Sequence, residues 1–72
     1  MRHDELSERQ IRILRAISNW IADHGEGPSI RQLGELVGLS SSGSVAYQLA
    51  QLEARGFISR SDRRWRSVRI RH

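Results

Sequence analysis

The spacing of apolar residues changes once along this 72-residue chain, at Gly56. Before that glycine, apolar residues recur every three or four positions in three separate segments, a period that predicts amphipathic helices. After it they alternate with polar residues by twos, which predicts short strands. Because a chain of this length buries only about 60% of the surface it exposes when unfolded, we expect one compact domain over residues 1–72. Its core should lie within residues 6–70.

The first two predicted helices begin with the same signal. Ser7 with Gln10, and Ser29 with Gln32, have the spacing of capping boxes. The first helix should end near Gly25, and its apolar stripe consists of Ile11, Leu14, Ile17 and Ile21, flanked by Ile13 and Trp20. The second should end at Gly38, and its apolar face consists of Ile30, Leu33, Leu36 and Val37. Gly34 in mid-helix costs about 1 kcal/mol relative to alanine, and a close helix crossing would explain it.

The third helix is predicted from about Ser42 to Arg55, with a buried stripe of Val45, Leu49 and Leu52. Two strands then follow, one at Ile58 and Arg60 and one over Val68, Arg69 and Ile70, joined by a turn within residues 61–64. Two helices joined by a tight turn form a helix-turn-helix unit. With the hairpin after it, the order predicts a mainly α fold with a small β-hairpin (α+β), a three-helix winged helix-turn-helix.

Charge is distributed unevenly along the chain. All twelve basic residues are arginines. Residues 1–54 carry five arginines and seven acids, a net of −2, and residues 55–72 carry seven arginines and one acid, a net of +6, which together give the +4 of the whole chain. A basic end on a weakly acidic body indicates a polyanionic partner. The alternative, a solvated and disordered basic tail, fits less well with the alternating pattern.

The stretch GLSSSGSVAYQL, residues 38–49, places four serines and two glycines before the apolar pattern of the third helix. Simple N-capping needs only one serine. Small residues at a helix start allow a close approach to base edges in the major groove, and serine hydroxyls can donate to or accept from bases, phosphates or water. Capping and recognition both remain open for these serines.

The composition argues against several other functions. The chain has no cysteine, and its three histidines are scattered without the spacing of metal ligands, so we expect no metal, no cofactor and no enzyme activity. No apolar run approaches the length of a membrane span. We therefore expect no membrane partner and a cytoplasmic protein.

The segments LSERQIRIL, GPSIRQLGELVGLSSSGSV and LAQLEARGFISR together resemble the N-terminal DNA-binding domain of LexA repressors, of the Gram-positive type. The resemblance covers about residues 6–70. It implies a winged helix-turn-helix that represses DNA-damage-response genes in bacteria by binding their operators, with the third helix in the major groove. The residues that match its groove contacts are Ser41, Ser42, Gly43, Ser44, Ala46 and Tyr47, with Gln48 a weaker candidate.

The wing around Arg63 and Arg64 then approaches the minor groove or the backbone. The full set of arginines that we expect to contact the DNA backbone is Arg31, Arg60, Arg63, Arg64 and Arg66. For each of them the alternative is a solvated charge, and for Arg31 it is also an ion pair with Glu35. Tyr47 could instead be partly buried against the wing.

Two residues depart from the family pattern, which has histidine or a small polar residue at Tyr47 and proline at Trp65. We expect Trp65 on the Arg69 face of its strand, half exposed, where it could also stack on a single-stranded base. A LexA repressor also carries a self-cleaving Ser–Lys protease domain, absent from these 72 residues, so we expect an excised or truncated form, with a stand-alone relative as the alternative.

The expected partner is a double-stranded, dyad-symmetric operator on the nucleoid. The chain alone should be a monomer, and one copy should bind each half-site. Two other hypotheses remain: a winged helix that contacts protein or an RNA end, and a nucleic-acid module without sequence preference.

Overall fold

The computed structural model describes residues 6–71, in which three helices precede a two-stranded antiparallel hairpin. The elements are α1 (Glu8–His24), α2 (Ile30–Val37), α3 (Ser42–Ala54), β1 (Ile58–Arg60) and β2 (Val68–Ile70), with a short 3-10 helix at Trp65–Ser67. The predicted fold class is confirmed. His3 and His72, two of the three scattered histidines, lie outside the described residues.

Both predicted capping boxes are present. The Ser7 hydroxyl accepts the Gln10 backbone N–H and the Gln10 carboxamide accepts the Ser7 backbone N–H, each at 3.1 Å. Ser29 and Gln32 repeat the exchange at 3.1 and 2.9 Å. These bonds satisfy backbone donors that a helix start leaves unpaired, which is why α1 and α2 begin where the sequence predicts.

The core draws on all three helices and both strands. Its fully buried apolar residues are Ile13, Ile17, Leu33, Val45, Leu49, Leu52, Ile58 and Val68. The predicted buried stripe of α3 is confirmed. Because α3 gives one face to this core, its opposite face is left to solvent, and the position of α3 is fixed by apolar packing.

Two predicted details are wrong. Ile11 is 40% exposed, and Gln10, Ile13 and Ile17 form the buried side of α1, which is therefore rotated relative to the predicted stripe. Leu36 is 52% exposed because α2 turns only part of its short apolar face inward. Helix α3 ends at Ala54, within one residue of its predicted end, and Arg55 is its C-cap.

The turn between α2 and α3 is tight. Gly38 ends α2 in the left-handed conformation, with φ of 77°, and the Leu39 N–H donates to the Gly34 carbonyl oxygen at 2.9 Å. Gly34 is buried, and a Cβ there would lie 3.0 Å from the Leu39 carbonyl oxygen and 3.4 Å from Cγ2 of Val45. The mid-helix glycine therefore permits the close approach of α2 to the turn and to α3.

The hairpin is anchored to the α1–α2 connection through its loop and the start of β2. In its register Ile58 pairs with Ile70 and Arg60 with Val68. The Gly27 N–H, in the α1–α2 connection, donates to the Arg66 carbonyl oxygen at 2.9 Å. A Cβ at Gly27 would collide with the Val68 side chain and with the Trp65 carbonyl oxygen, so this approach requires glycine.

We predict that Gly27→Ala lowers the free energy of unfolding by about 1–3 kcal/mol, because the added methyl forces the hairpin away from the α1–α2 connection. Denaturant titration followed by circular dichroism measures the change. Gly43→Ala is the matched control, since a Cβ at Gly43 meets only the Ser41 Oγ atom, at 3.5 Å. Equal stability of the two variants would contradict the predicted collision.

Candidate nucleic-acid interface

The exposed face of α3 carries one large side chain. Tyr47 is 62% exposed and points away from the buried stripe of Val45, Leu49 and Leu52. Gly43 lies one turn before Tyr47 and Ala50 lies one turn after it, and both are exposed. Since residues three or four apart share a face of a helix, these three positions form a flat surface from which only the phenol projects. Tyr47 is not buried against the wing.

The serine-rich start of α3 is open to solvent. Residues 40–44 are all exposed, as a surface that receives another molecule requires. Ser41 is the N-cap, and its hydroxyl accepts the Ser44 backbone N–H at 3.3 Å. Within residues 6–71, the hydroxyls of Ser42 and Ser44 form no hydrogen bond to protein. Capping therefore accounts for Ser41 and leaves these two hydroxyls available to a ligand.

Two further predicted contact residues lie at the sides of α3. Ala46 and Gln48 are half-buried. The Gln48 Oε1 atom accepts a hydrogen bond from Nε2 of Gln10 at 3.1 Å, which joins α3 to the start of α1. Gln10 is the only buried polar residue of the described chain, at 9% exposure. The sequence pattern indicates only the capping-box role of Gln10, because the partner in this second bond lies 38 positions away.

Arg31 lies beside the start of α3. It is exposed on the first turn of α2 and lines the same groove as Ser40 and Ser42. Within residues 6–71 no ion pair joins Arg31 to Glu35. The structure thus brings this arginine together with the serine-rich segment, and its charge is not neutralised by the acid one turn along.

The four arginines predicted for the wing have different environments. Arg60 pairs with Glu53, with Nε 3.0 Å from a carboxylate oxygen. Arg66 pairs with Glu26 at 3.1 Å in a more exposed ion pair. The side chains of Arg63 and Arg64 are exposed, and neither forms an ion pair within the described residues. The positive charge at the hairpin tip that remains uncompensated is therefore that of Arg63 and Arg64.

The tip is shaped by a small polar network. The Asp62 carboxylate accepts the Arg64 backbone N–H at 2.7 Å, and the Ser67 hydroxyl donates to the Arg64 carbonyl oxygen at 2.8 Å. The Asp62 N–H donates to the Ser67 hydroxyl oxygen at 3.3 Å. These bonds fold residues 62–67 into a compact loop, so that the two free arginines are carried on a defined backbone.

Trp65 lies elsewhere than predicted. It belongs to the 3-10 helix between the strands, so its assignment to the Arg69 face of a strand is wrong. The ring is partly buried against the core, with the Arg60 guanidinium carbon 3.8 Å from its centre. Trp20 is half-buried and is stacked on the His24 ring, with the ring centres 4.0 Å apart.

No group of three potential metal-ligating side chains occurs in the described part of the chain. No helix of residues 6–71 is long and apolar enough to cross a membrane. What this surface offers instead is chemistry suited to a polyanion: free hydroxyls, unpaired guanidinium groups and a helix start without bulky side chains.

Comparison with known proteins identifies the family. The family described as the LexA DNA binding domain matches residues 3–67. The chain belongs to the LexA DNA-binding domain family. It is 48% identical over 67 residues to the LexA repressor of Corynebacterium glutamicum, and 47% identical over 66 residues to those of Thermobifida fusca and Mycobacterium marinum.

These alignments cover 92–93% of the chain but only 26–29% of each of the three LexA repressors. The chain therefore corresponds to the DNA-binding part of a LexA repressor and spans less than a third of the length of those relatives. The resemblance inferred from the sequence motifs is confirmed.

We predict that Asp62 titrates below its ordinary pKa of 3.8, chiefly because its carboxylate accepts the Arg64 backbone N–H, with a further lowering by the Ser67 hydroxyl. A depressed pKa means that the stabilisation is complete above 3.8 and is lost as the pH falls through the lower, folded-state pKa. The midpoint can be measured by NMR titration of the Asp62 carboxyl carbon.

Replacement Ser67→Ala should move that midpoint upward, towards the value for an unstructured peptide of residues 60–68. If the folded protein and the peptide titrate with the same midpoint, the Asp62 network does not hold the loop in solution.

Proposed function

We propose that this chain binds double-stranded DNA sequence-specifically, as the operator-binding part of a LexA-type transcriptional repressor. The observation that carries the proposal is the open start of α3, where two uncommitted serine hydroxyls, Gly43 and Tyr47 share one accessible surface. A thirteen-residue helix is about 20 Å long and fits the major groove. Membership of the LexA DNA-binding domain family also supports the placement of α3 in the major groove.

The residues of α3 divide by chemistry. Ser42 and Ser44 can hydrogen bond to base edges or bridging water, and Tyr47 can pack on a thymine methyl or donate to a phosphate. Gly43 and Ala46 let the backbone come close. Ser41 caps the helix start that faces the DNA. The side-chain oxygen of Gln48 accepts the hydrogen bond from Gln10, so the Gln48 amide nitrogen keeps its N–H donors for the edge of the groove.

The backbone contacts come from arginines on two sides of α3. Arg31 approaches one strand from the α2 side, and Arg63, Arg64 and Arg66 approach from the wing. Arg60, which we also predicted as a backbone contact, has its charge compensated by Glu53 in a much less exposed ion pair than that of Arg66 with Glu26. If four phosphates are neutralised, the log–log dependence of affinity on salt should have a slope of about −3 to −4 per domain.

The size of the domain fits one half-site. Its Cα atoms span 32 Å along the longest axis. Half-sites one helical turn apart are separated by about 34 Å, a similar length, which suits one copy on each half-site of a dyad-symmetric operator. We therefore propose a monomer that binds one half-site, with two copies per operator. We further propose, by analogy with the LexA family, that the regulated genes belong to the bacterial DNA-damage response and that binding takes place on the nucleoid.

We predict that selection from a pool of 30-base-pair duplexes with a randomised centre will enrich one dyad-symmetric sequence. In binding measurements with the enriched duplex and a scrambled one, Tyr47→Ala should reduce the preference by about 1–3 kcal/mol. Arg64→Ala should weaken both duplexes alike and make the salt slope shallower by about 1.

If no sequence is enriched, the proposal of sequence-specific recognition is wrong. If binding does not depend on salt, the proposal of a nucleic-acid partner is wrong, and the alternative of a protein partner is favoured.

The variant Gly43→Ala should raise the stability of the fold and lower its affinity for DNA. Because Gly43 is exposed within a helix, alanine should stabilise the fold by about 0.5 kcal/mol. The same methyl projects from the proposed DNA surface, so affinity for the enriched duplex should fall by at least about threefold. Thermal unfolding and fluorescence anisotropy give the two quantities. Unchanged or improved affinity would show that the α3 backbone does not approach the bases.

A further inference from the structure

One arginine connects the recognition helix to the tip of the wing. Arg60 donates from Nε and Nη2 to the two carboxylate oxygens of Glu53, both at 3.0 Å. Its Nη1 donates to the Arg63 carbonyl oxygen at 2.8 Å. The face of the same guanidinium lies over the Trp65 ring, 3.8 Å from its centre. Three segments, the last turn of α3, the strand β1 and the hairpin loop, therefore meet at one side chain.

This geometry differs from that of an ordinary surface ion pair. The Arg60 and Glu53 side chains are only 24% and 32% exposed, and the pair is bidentate and stacked on an aromatic ring. Partial burial weakens screening by salt, and the planar fork fixes the relative orientation of both partners. In the more exposed Glu26–Arg66 pair, Nε and Nη2 both donate to one carboxylate oxygen, at 3.3 and 3.1 Å, and this pair provides less orientation.

Ile58 and Val68 pack the two strands into the core that α3 also lines, so these contacts position the strands, and the tip beyond Arg60 needs contacts of its own. Each strand has three residues, and the bond from Gly27 to Arg66 fastens only the side of the loop that faces the α1–α2 connection. The bonds among Asp62, Arg64 and Ser67 determine the shape of the loop. The link from Glu53 through Arg60 to Arg63 and Trp65 is what relates that shape to the recognition helix.

We propose that Glu53, Arg60 and Trp65 form a clamp that holds Arg63 and Arg64 at a set distance from the exposed face of α3. The clamp determines how strongly the domain binds the DNA that flanks its half-site. Arg60 is thus a positioning residue, and its guanidinium makes its contacts within the protein, with Glu53, Arg63 and Trp65. This inference rests on the proposed function, because it concerns the second contact region of the same DNA-binding surface.

The variant Glu53→Gln tests the clamp by whether it weakens or tightens DNA binding. Removing Glu53 raises the net charge by one unit above +4 and frees Arg60. If Arg60 is a phosphate contact, DNA binding should tighten. If Arg60 is part of the clamp, binding to a duplex with long flanks should weaken, by about fivefold to tenfold for the loss of an arginine pair placed on phosphates.

A short duplex that ends at the edge of the α3 footprint should show a change of less than about twofold, because the wing has no DNA beneath it. Asp23→Asn, on the exposed surface near the end of α1, removes one carboxylate away from the clamp and should not weaken binding to either duplex.

Arg60→Lys provides the second test. Lysine keeps the positive charge but cannot form the bidentate pair and lie flat on Trp65. If Arg60 is part of the clamp, Arg60→Lys should lose nearly as much affinity for the long duplex as Arg60→Ala. If Arg60 contacts a phosphate, Arg60→Lys should keep most of the affinity that Arg60→Ala loses. All variants are compared at a temperature at which circular dichroism shows each of them to be folded.

A measurement without DNA decides the structural half of the proposal. In Glu53→Gln, amide hydrogen exchange of residues 61–67 should accelerate at least about tenfold, while the amides at the centre of α1 stay protected. Unchanged exchange of the loop overturns the clamp, as does equal or tighter binding of the long duplex.

If the wild-type chain binds enriched and scrambled duplexes equally, the proposed specific function fails. The exchange experiment would still show whether the clamp holds the wing.

Discussion

The structure depends on the burial of one side of α3. Val45, Leu49 and Leu52 supply three of the eight fully buried apolar residues, and they fix the helix against α1, α2 and the hairpin. Apolar packing is non-directional in its driving force but specific in shape. Once these three side chains are seated, the positions of Gly43, Tyr47 and Ala50 on the opposite face are determined. The chemistry of the exposed face can then vary without any change in the core.

Much of the fold follows from the sequence because local chemistry decides it. The capping boxes at Ser7 and Ser29 and the glycines that end α1 and α2 act within a few residues, so their spacing predicts the helix boundaries. The change to a two-residue period after Gly56 predicts the hairpin in the same way. The exposed start of α3 could also be anticipated, since one capping serine left the other serines without a structural role.

What the sequence did not reveal depends on contacts between distant segments. Gln10 bonds to Gln48, 38 positions away, and only the packed fold shows that the rotation of α1 buries Gln10 and exposes Ile11. Glu53 and Arg60 belong to different elements, so no periodicity indicates their pairing. The 3-10 helix that places Trp65 beneath Arg60 is set by the loop network around Asp62. The number of charges in the sequence does not distinguish the wing arginines, whereas in the structure Arg60 and Arg66 are ion-paired and Arg63 and Arg64 are not.

That division explains how a small domain can use arginine for two purposes. The side chains of Arg63 and Arg64 favour a polyanion to the extent that their charges remain uncompensated, and a loop carrying such charges is opposed by their mutual repulsion. Asp62 already lies beside them, where its carboxylate steadies the loop by accepting the Arg64 N–H and offsets part of their charge. Pairing Glu53 with Arg60 places a second carboxylate at the foot of the wing, where it stabilises the hairpin without offsetting more of the charge at the tip. This arrangement leaves the unpaired guanidinium groups of Arg63 and Arg64 exposed at the tip, so that a duplex lying on the exposed face of α3 can meet them as well.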